Sequence, residues 1–469
     1  MTPRSSPRDS RVRYYRVSGW RREALRTTLW LVPTLMVGLA VALFSVTYAL
    51  DVAADAGRLT FPGWVSSGSA DAARQVLIGI AAAVITVAGV VFSITILALQ
   101  LASQQFGPRM LRNFIRDRGT QVSLGAFVAT FVYCMLTLGS VGHLESGDFV
   151  PHLCVTVALG LTLVDLGVLI YFIDHVAHSI QLPTVVAGIA RDFRQTLDDL
   201  HSDAAAGGAS PDDHGAEMRG VRERLEREGT PVPASASGFL QAVGHDRLLL
   251  IATSSDSVIR LLHRPGHFVV EGQPLALVRP PEAVGEVSEA LARAHIVGAA
   301  RTLTQDLGFA VDQLCEVAIR ALSPAVNDTF TALNCIDWLG DCLCQVARRP
   351  LPGGIYRDAR GTVRLIDPVI TFERLVKGAS DKIRQAGRGM PAVLVRQLQN
   401  LEKVALALRD PGQGEVLLCQ AQMILRVSEE SVPEPSDRRD VRAAYDALLV
   451  RLEESERRAE DLASPATES

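Results

Sequence analysis

The densest group of side chains that could do chemistry lies between residues 301 and 331 of this 469-residue chain. Arg301, Gln305 and Asp306 lead into an amphipathic helical pattern over 309–322. Ser323, Asn327, Asp328 and Thr331 follow it around Pro324. Two readings account for them. Ser, Asn and Asp at helix boundaries accept hydrogen bonds from the free N–H groups of the next turn, so capping explains the residue types. The surplus of polar groups beside apolar helices also fits a ligand site for a small molecule or a protein partner. No histidine follows His295, so the cluster has no base to pair with a nucleophile, and an enzyme is the less favoured class.

Other chemistries fall on composition. Only Lys377, Lys382 and Lys403 are lysines, against 44 arginines, and there is no G-x-x-x-x-G-K-[ST] loop. Nothing before residue 377 could carry a lysyl-bound cofactor. The seven cysteines include no C-x-x-C pair; the one close pair, Cys342 and Cys344, lies in an apolar helical run, so buried reduced thiols are expected. No metal site and no cofactor are expected. A net charge of −4 argues against nucleic acid as a partner.

The elements that must position these groups divide into two halves. Residues 28–50, 76–101, 122–141 and 150–173 each reach the ~20 apolar residues needed to cross ~30 Å of hydrocarbon. Within the second, Gly79, Thr86, Ser93 and Gln100 recur every seven residues. A companion series runs through Ala82, Gly89, Ile96 and Ser103, so one face of the helix is small and polar. That face either packs closely against a neighbouring helix or lines a polar path; Gly79, Thr86, Gly89, Ser93 and Gln100 are its candidate residues. Asp165, inside the fourth span, costs at least ~2.5 kcal/mol to insert and must face protein or water. It reads either as a proton or cation site or as a protonated acid making structural hydrogen bonds. Thr130, Tyr133, Thr86 and Ser93 are candidate partners. Asp174, His175 and His178 adjoin one another where the span emerges, which suits a metal or pH-sensitive contact, though such interfacial histidines are commonplace.

Arginines set the expected orientation. Residues 1–27 hold eight, and the connection between spans two and three adds Arg109, Arg112, Arg116 and Arg118. The opposite loops hold Arg58 and Arg74. Both termini are therefore expected in the cytoplasm, and the lipid bilayer is the first partner. Ala54-Asp55-Ala56 mimics a cleavage site, but 23 uninterrupted apolar residues favour a retained anchor. The halves differ in charge: residues 1–173 sum to +5 and 174–469 to −9.

The organisation expected is a basic segment 1–27, a four-helix membrane domain 28–178, a helix and linker 179–235, a small β module 236–280, a mainly helical domain 281–462, and a disordered tail 463–469. The β module alternates like strands at 237–243 and 258–262, with Pro-Gly and Glu-Gly turns after them. It looks like half of a barrel-sandwich hybrid of the lipoyl type, without the lysine that such carriers modify. Residues 353–367 read as a hairpin turning at 358–361.

Four separated segments resemble one family in order: Val87-Ala88-Gly89-Val90-Val91-Phe92-Ser93-Ile94-Thr95, Gln105-Phe106-Gly107-Pro108-Arg109, Ser237-Gly238-Phe239-Leu240-Gln241-Ala242 and Ala321-Leu322-Ser323-Pro324-Ala325-Val326-Asn327-Asp328. The family is that of bacterial predicted membrane proteins catalogued as domain of unknown function 2254, and the resemblance covers roughly residues 25–430. Thr329 departs from it, since the family pattern has proline after Asn-Asp. The resemblance implies an integral membrane protein with a cytoplasmic domain and brings no activity. The fold expected is thus an α-helical integral membrane protein of four spans with a cytoplasmic α+β domain, in the bacterial inner membrane. The function expected is an oligomeric channel or transport-like protein with a ligand-sensing domain. The alternative is a non-conducting scaffold or signalling receptor that binds a cytoplasmic partner protein.

Overall fold

A computed structural model describes residues 30–59, 62, 65, 68–106, 117–142, 149–206, 216–349, 351–410 and 412–463. The arginine-rich segment 1–27, the positions of Arg109, Arg112 and Arg116, and residues 464–469 lie outside them. The chain forms two units, Met1–Gln181 and Leu182–Ser469.

In the first unit the four expected spans are four long helices: α1 (Leu31–Asp55), α2 (Ala70–Phe106), α3 (Arg118–Ser140) and α4 (His152–Ser179). Each contains a stretch long and apolar enough to cross a membrane. The helices run beyond the apolar runs because intrahelical hydrogen bonding continues where hydropathy falls. Helix α3 is the centre and packs against the other three. Its interior is polar for a core: Gln121, Ser123, Thr130, Thr137 and Ser140 are all buried. Large apolar side chains also point out; Leu163 on α4 is 73% exposed and Leu35 on α1 66%. This is the reverse of a water-soluble bundle and the arrangement that hydrocarbon requires. Small residues allow the close crossings. A Cβ on Gly125 of α3 would lie 2.6 Å from Met36 Sδ and 3.2 Å from the backbone of Pro33 on α1.

In the second unit α5 (Leu182–Ala206) starts with Pro183 in its first turn, where the missing N–H costs nothing. The expected linker is more structured than its Ala, Gly and Ser content implied: α5 continues to Ala206, α6 spans Ala216–Glu228, and β1 covers Thr230–Pro233. The chain continues through β2 (Gly238–Val243), α7 (His245–Ser254), β3 (Val258–Leu261), β4 (Phe268–Val269), β5 (Pro274–Arg279), α8 (Val284–Ala294) and β6 (His295–Gly298). Next come α9 (Leu307–Ala321), α10 (Thr329–Arg348), β7 (Ile355–Arg357) and β8 (Val363–Ile366). The end is helical: α11 (Phe372–Ala386), α12 (Pro391–Ala405), α13 (Gly412–Ser431) and α14 (Pro435–Ala463).

The strands make two sheets rather than one local module. One has the order β1-β5-β3-β8-β7 and the other β4-β2-β6. All pairings are antiparallel except β3 with β8, where Ile259 lies opposite Leu365. The β7–β8 turn forms because Asp358 Oδ1 accepts the N–H groups of Arg360 and Thr362, and Gly361 takes φ +80°. Leu240, Ile259, Val278, Leu291 and Leu365 share one core beneath α7 and α8. Helices α9 to α14 pack on one another, with α5 against α9 and α10.

Candidate functional site

Within the membrane bundle, polar groups are met by hydroxyls and backbone rather than by cations. Tyr133 and Thr47 share a hydrogen bond of 2.9 Å, and the Cys154 thiol donates to Thr47 Oγ1 at 3.3 Å. Asp51, one turn further along α1, is buried and accepts the N–H groups of Leu153 and Cys154 at 2.8 and 2.9 Å. It therefore caps α4 from another helix and meets the positive end of its dipole. Asp165 is 4% exposed. Thr130 donates to it, as one expected partner, while its Oδ2 has no partner among the described residues.

The small, polar face of α2 looks away from the other helices. Gly79, Thr86, Gly89, Ser93 and Gln100 are all exposed, whereas Leu77, Val84, Ala88 and Val91 form the buried face. No atom lies within 4 Å of where a Cβ on Gly79 or Gly89 would stand. Thr86 donates to Ala82 O at 2.7 Å and Ser93 to Gly89 O at 2.9 Å, so both hydroxyls are satisfied within the helix. Packing inside one chain does not explain this face. At the other side of the bundle His175 Nε2 lies 2.7 Å from Asp117 Oδ2 and stacks on Tyr171. Asp117 also caps α3 through Thr120. His178 instead bonds Asp174, and no group of three or more potential metal ligands converges among the described residues.

In the second unit the 301–331 cluster separates into two places. Arg301, Gln305 and Asp306 stand before α9, while Ser323, Asn327 and Asp328 lie beyond its last residue. That 15-residue helix holds the two groups roughly 22 Å apart along its axis. Asp328 caps α10 through Thr331, and Ser323 donates to Arg320 O. Asn327 takes φ +51°, a conformation Asn tolerates better than most residues. Thr329 is the first residue of α10. Proline and threonine can both occupy that first helical position, where the N–H needs no intrahelical partner.

Asp306 anchors the other group. It caps α9 through Phe309 N, takes Arg301 Nε and Nη2 at 2.8 and 2.7 Å, and lies 3.9 Å from Arg264 Nη1. Arg301 also holds Asp312 at 2.6 Å and lies over the Phe309 ring. Gly266, at φ +91°, presses against the Asp306 carboxylate so closely that no Cβ fits. Gln305 spends its amide on the backbone of Val243, accepting N–H at 2.8 Å and donating to the carbonyl at 3.1 Å.

Gln305 and Arg264 also border a cavity of about 60 Å³ in this unit. His245 and Asp367 meet there at 2.7 Å, and the imidazole stacks on Tyr356 at 4.9 Å between ring centres. Leu200, Leu307, Leu351, Val369 and Ile370 form an apolar wall, and Asp203 completes the polar part. Burial alone would lower the His245 pKa; Asp367 outweighs it and holds the ring above its ordinary value. His267 goes the other way, to about 4, because it is buried and faces Arg264, His263, Arg374 and Arg301. Burial takes His295 to about 4 as well. No local pattern announces the His245–Asp367 pair, whose members are 122 residues apart, or the role of Asp51, whose partners lie 102 and 103 residues away.

Four helices long and apolar enough to cross a membrane, followed by a sheet-containing unit, define a multi-span membrane protein. The family model described as "Predicted membrane protein (DUF2254)" matches residues 26–403, and the chain belongs to that family. It is 32% identical over 420 residues to uncharacterized protein Rv1290c of Mycobacterium tuberculosis and to uncharacterized protein Mb1321c of Mycobacterium bovis. The alignment takes in 88% of this chain and 78% of each relative. No solved structure matches the chain.

Proposed function

We propose that the protein is a homo-oligomeric channel or transport-like protein of the bacterial inner membrane, with both termini in the cytoplasm. The observation that carries this reading is the outward direction of Gly79, Thr86, Gly89, Ser93 and Gln100 on α2. Glycines on that face let helices from several copies approach, and the polar members would then border a shared path. Asp165, held by Thr130 and with no partner for Oδ2 among the described residues, would tune ion passage. The second unit would be its cytoplasmic, ligand-sensing part, with Gln305 on the cavity wall, Arg301 and Asp306 as the further ligand-site residues, and the β2–β5 strands as its barrel-sandwich-like portion. The arginine distribution supports the orientation.

The test is flux. Purified chain in liposomes should pass small ions, and Ser93→Leu with Gln100→Leu should cut the rate at least about tenfold without changing oligomer size. Vesicles that stay tight under every voltage and ionic condition would overturn conduction.

One observation favours a non-conducting scaffold or receptor. The Thr86 and Ser93 hydroxyls already bond their own helix, so the face can meet lipid without an unpaired donor. That reading predicts that the Ser93 and Gln100 changes leave the phenotype intact, while substitutions of Arg301 or Asp328 abolish it through a partner protein.

A further inference from the structure

The cavity bordered by His245, Asp367 and Arg264 is a small-molecule site, and we infer that its ligand is a small aliphatic zwitterion, an amino acid with a short hydrocarbon side chain. The inference rests on the ligand-sensing reading of the second unit but not on conduction.

Three features of the cavity lead there. The first is an unmet acceptor: Asp367 is 8% exposed and lines the cavity. Its Oδ2 receives His245 at 2.7 Å, and its Oδ1 is buried with no partner among the described residues. A buried carboxylate oxygen left bare is costly, so a donor from a ligand belongs there. His295, close enough to feel the charge of both members of the pair, is held neutral with its pKa near 4 and brings no competing cation.

The second feature is a cation with capacity to spare. Arg264 borders the same cavity and is 12% exposed. Its carboxylate partner Asp306 is 3.9 Å away and already bound more closely to Arg301. Burial disfavours the charge of Arg264, and Arg374 and Arg301 oppose the support it draws from Asp306. A ligand carboxylate would add a close partner and match the fork geometry of the arginine.

The third is balance. Both signs meet on the lining: the carboxylates of Asp203 and Asp367, the guanidinium of Arg264, and the His245 ring, whose pKa Asp367 raises. A ligand with one net charge leaves one side of the cavity unanswered, whereas a zwitterion offers its ammonium to Asp367 Oδ1 and its carboxylate to Arg264. The wall of Leu351, Val369 and Ile370 takes an aliphatic side chain. The interior of about 60 Å³ admits roughly five water-sized groups, which restricts the ligand to the smallest amino acids of this kind.

The experiment is calorimetric titration of the full chain in detergent with L-alanine and L-valine. 3-Methylbutanoate, which lacks the ammonium group, and 2-methylpropylamine, which lacks the carboxylate, serve as controls. At least one amino acid should bind at micromolar to millimolar concentration, with both controls at least tenfold weaker. Arg264→Gln and Asp367→Asn should each weaken binding at least tenfold. Leu351→Trp, which fills the cavity from its apolar wall and leaves both ion pairs in place, should abolish it while the protein still melts cooperatively. Binding of 3-methylbutanoate or 2-methylpropylamine as tight as that of valine would overturn the zwitterion, leaving a plain anion or cation site. Absence of binding by both amino acids, or binding that survives Leu351→Trp, would overturn the site itself. Liposomes that fail to conduct leave these readings untouched, so the two proposals fail separately.

Discussion

Asp165 and Asp306 are both almost wholly buried carboxylates, yet their surroundings have little in common. Asp306 holds two arginines and a helix N-terminus, and Arg301 extends the network to Asp312 and, through it, Lys382. Asp165 has a hydroxyl from Thr130 and one oxygen without a partner among the described residues. The membrane unit satisfies its buried acids with neutral donors, as Asp51 also shows with two backbone N–H groups. The second unit answers charge with charge. A carboxylate matched only by neutral donors can lose its charge without leaving a cation behind; one matched by arginines cannot.

That contrast orders the effects of substitution. Asp306→Ala should be the most damaging, by about 3–5 kcal/mol, because it removes the carboxylate of Arg264 and one of the two held by Arg301, and uncaps α9. Denaturant unfolding of the detergent-solubilised chain measures this, and a loss under about 1 kcal/mol would erase the distinction. Asp51→Ala should come next at about 1–3 kcal/mol, the cost of leaving two backbone donors of α4 unmet, with Asp51→Asn milder because one acceptor oxygen survives. Asp165→Asn should be nearly silent, within about 1 kcal/mol, since no cation is released. A cost equal to that of Asp306→Ala would reveal an ionic partner for Asp165 and break the comparison.

Acidity sharpens the contrast within the second unit, with three histidines pulling in opposite directions. His267 and His295 stay neutral down to about 4, whereas the unfolded chain takes up these protons near its ordinary value of ~6.5. Their effect is stability that is complete above ~6.5 and lost as pH falls from there toward 4. His245 has a raised pKa, so its pair with Asp367 contributes fully below ~6.5 and is lost as pH rises through the raised value. Melting temperature against pH should therefore fall on both sides. His295→Phe should flatten the acid limb and His245→Gln the basic limb. A profile that His245→Gln leaves unchanged would mean that the pair with Asp367 carries no charge.

Local and periodic features were legible in the residues. The four spans follow from apolar length, helix capping by the 301–331 cluster from its place beside helical patterns, with Asn327 and Asp328 both open as the second cap, and the 358–361 turn from Asp and Gly spacing. Sevenfold spacing put Gly79, Thr86, Ser93 and Gln100 on one face of α2, but periodicity fixes only the face and not the direction it looks. Whether a polar residue serves packing or function is decided by what lies opposite. For Asp51, His245 and Asp367 the answer is more than a hundred residues away. The strands of the second unit were read as a local module for the same reason. Their partners β7 and β8 arrive from beyond residue 350, and the parallel β3–β8 pairing leaves no mark in either segment.

The central place of α3 also governs how the bundle is born. When α1 and α2 leave the ribosome, Thr47 must wait for Tyr133, 86 residues later, and Asp51 for the start of α4. The first span thus enters the bilayer carrying groups whose interhelical partners have not been synthesised. The insertion machinery must shelter them until α3 and α4 follow, so the chain commits to its membrane fold late in translation rather than one helix at a time.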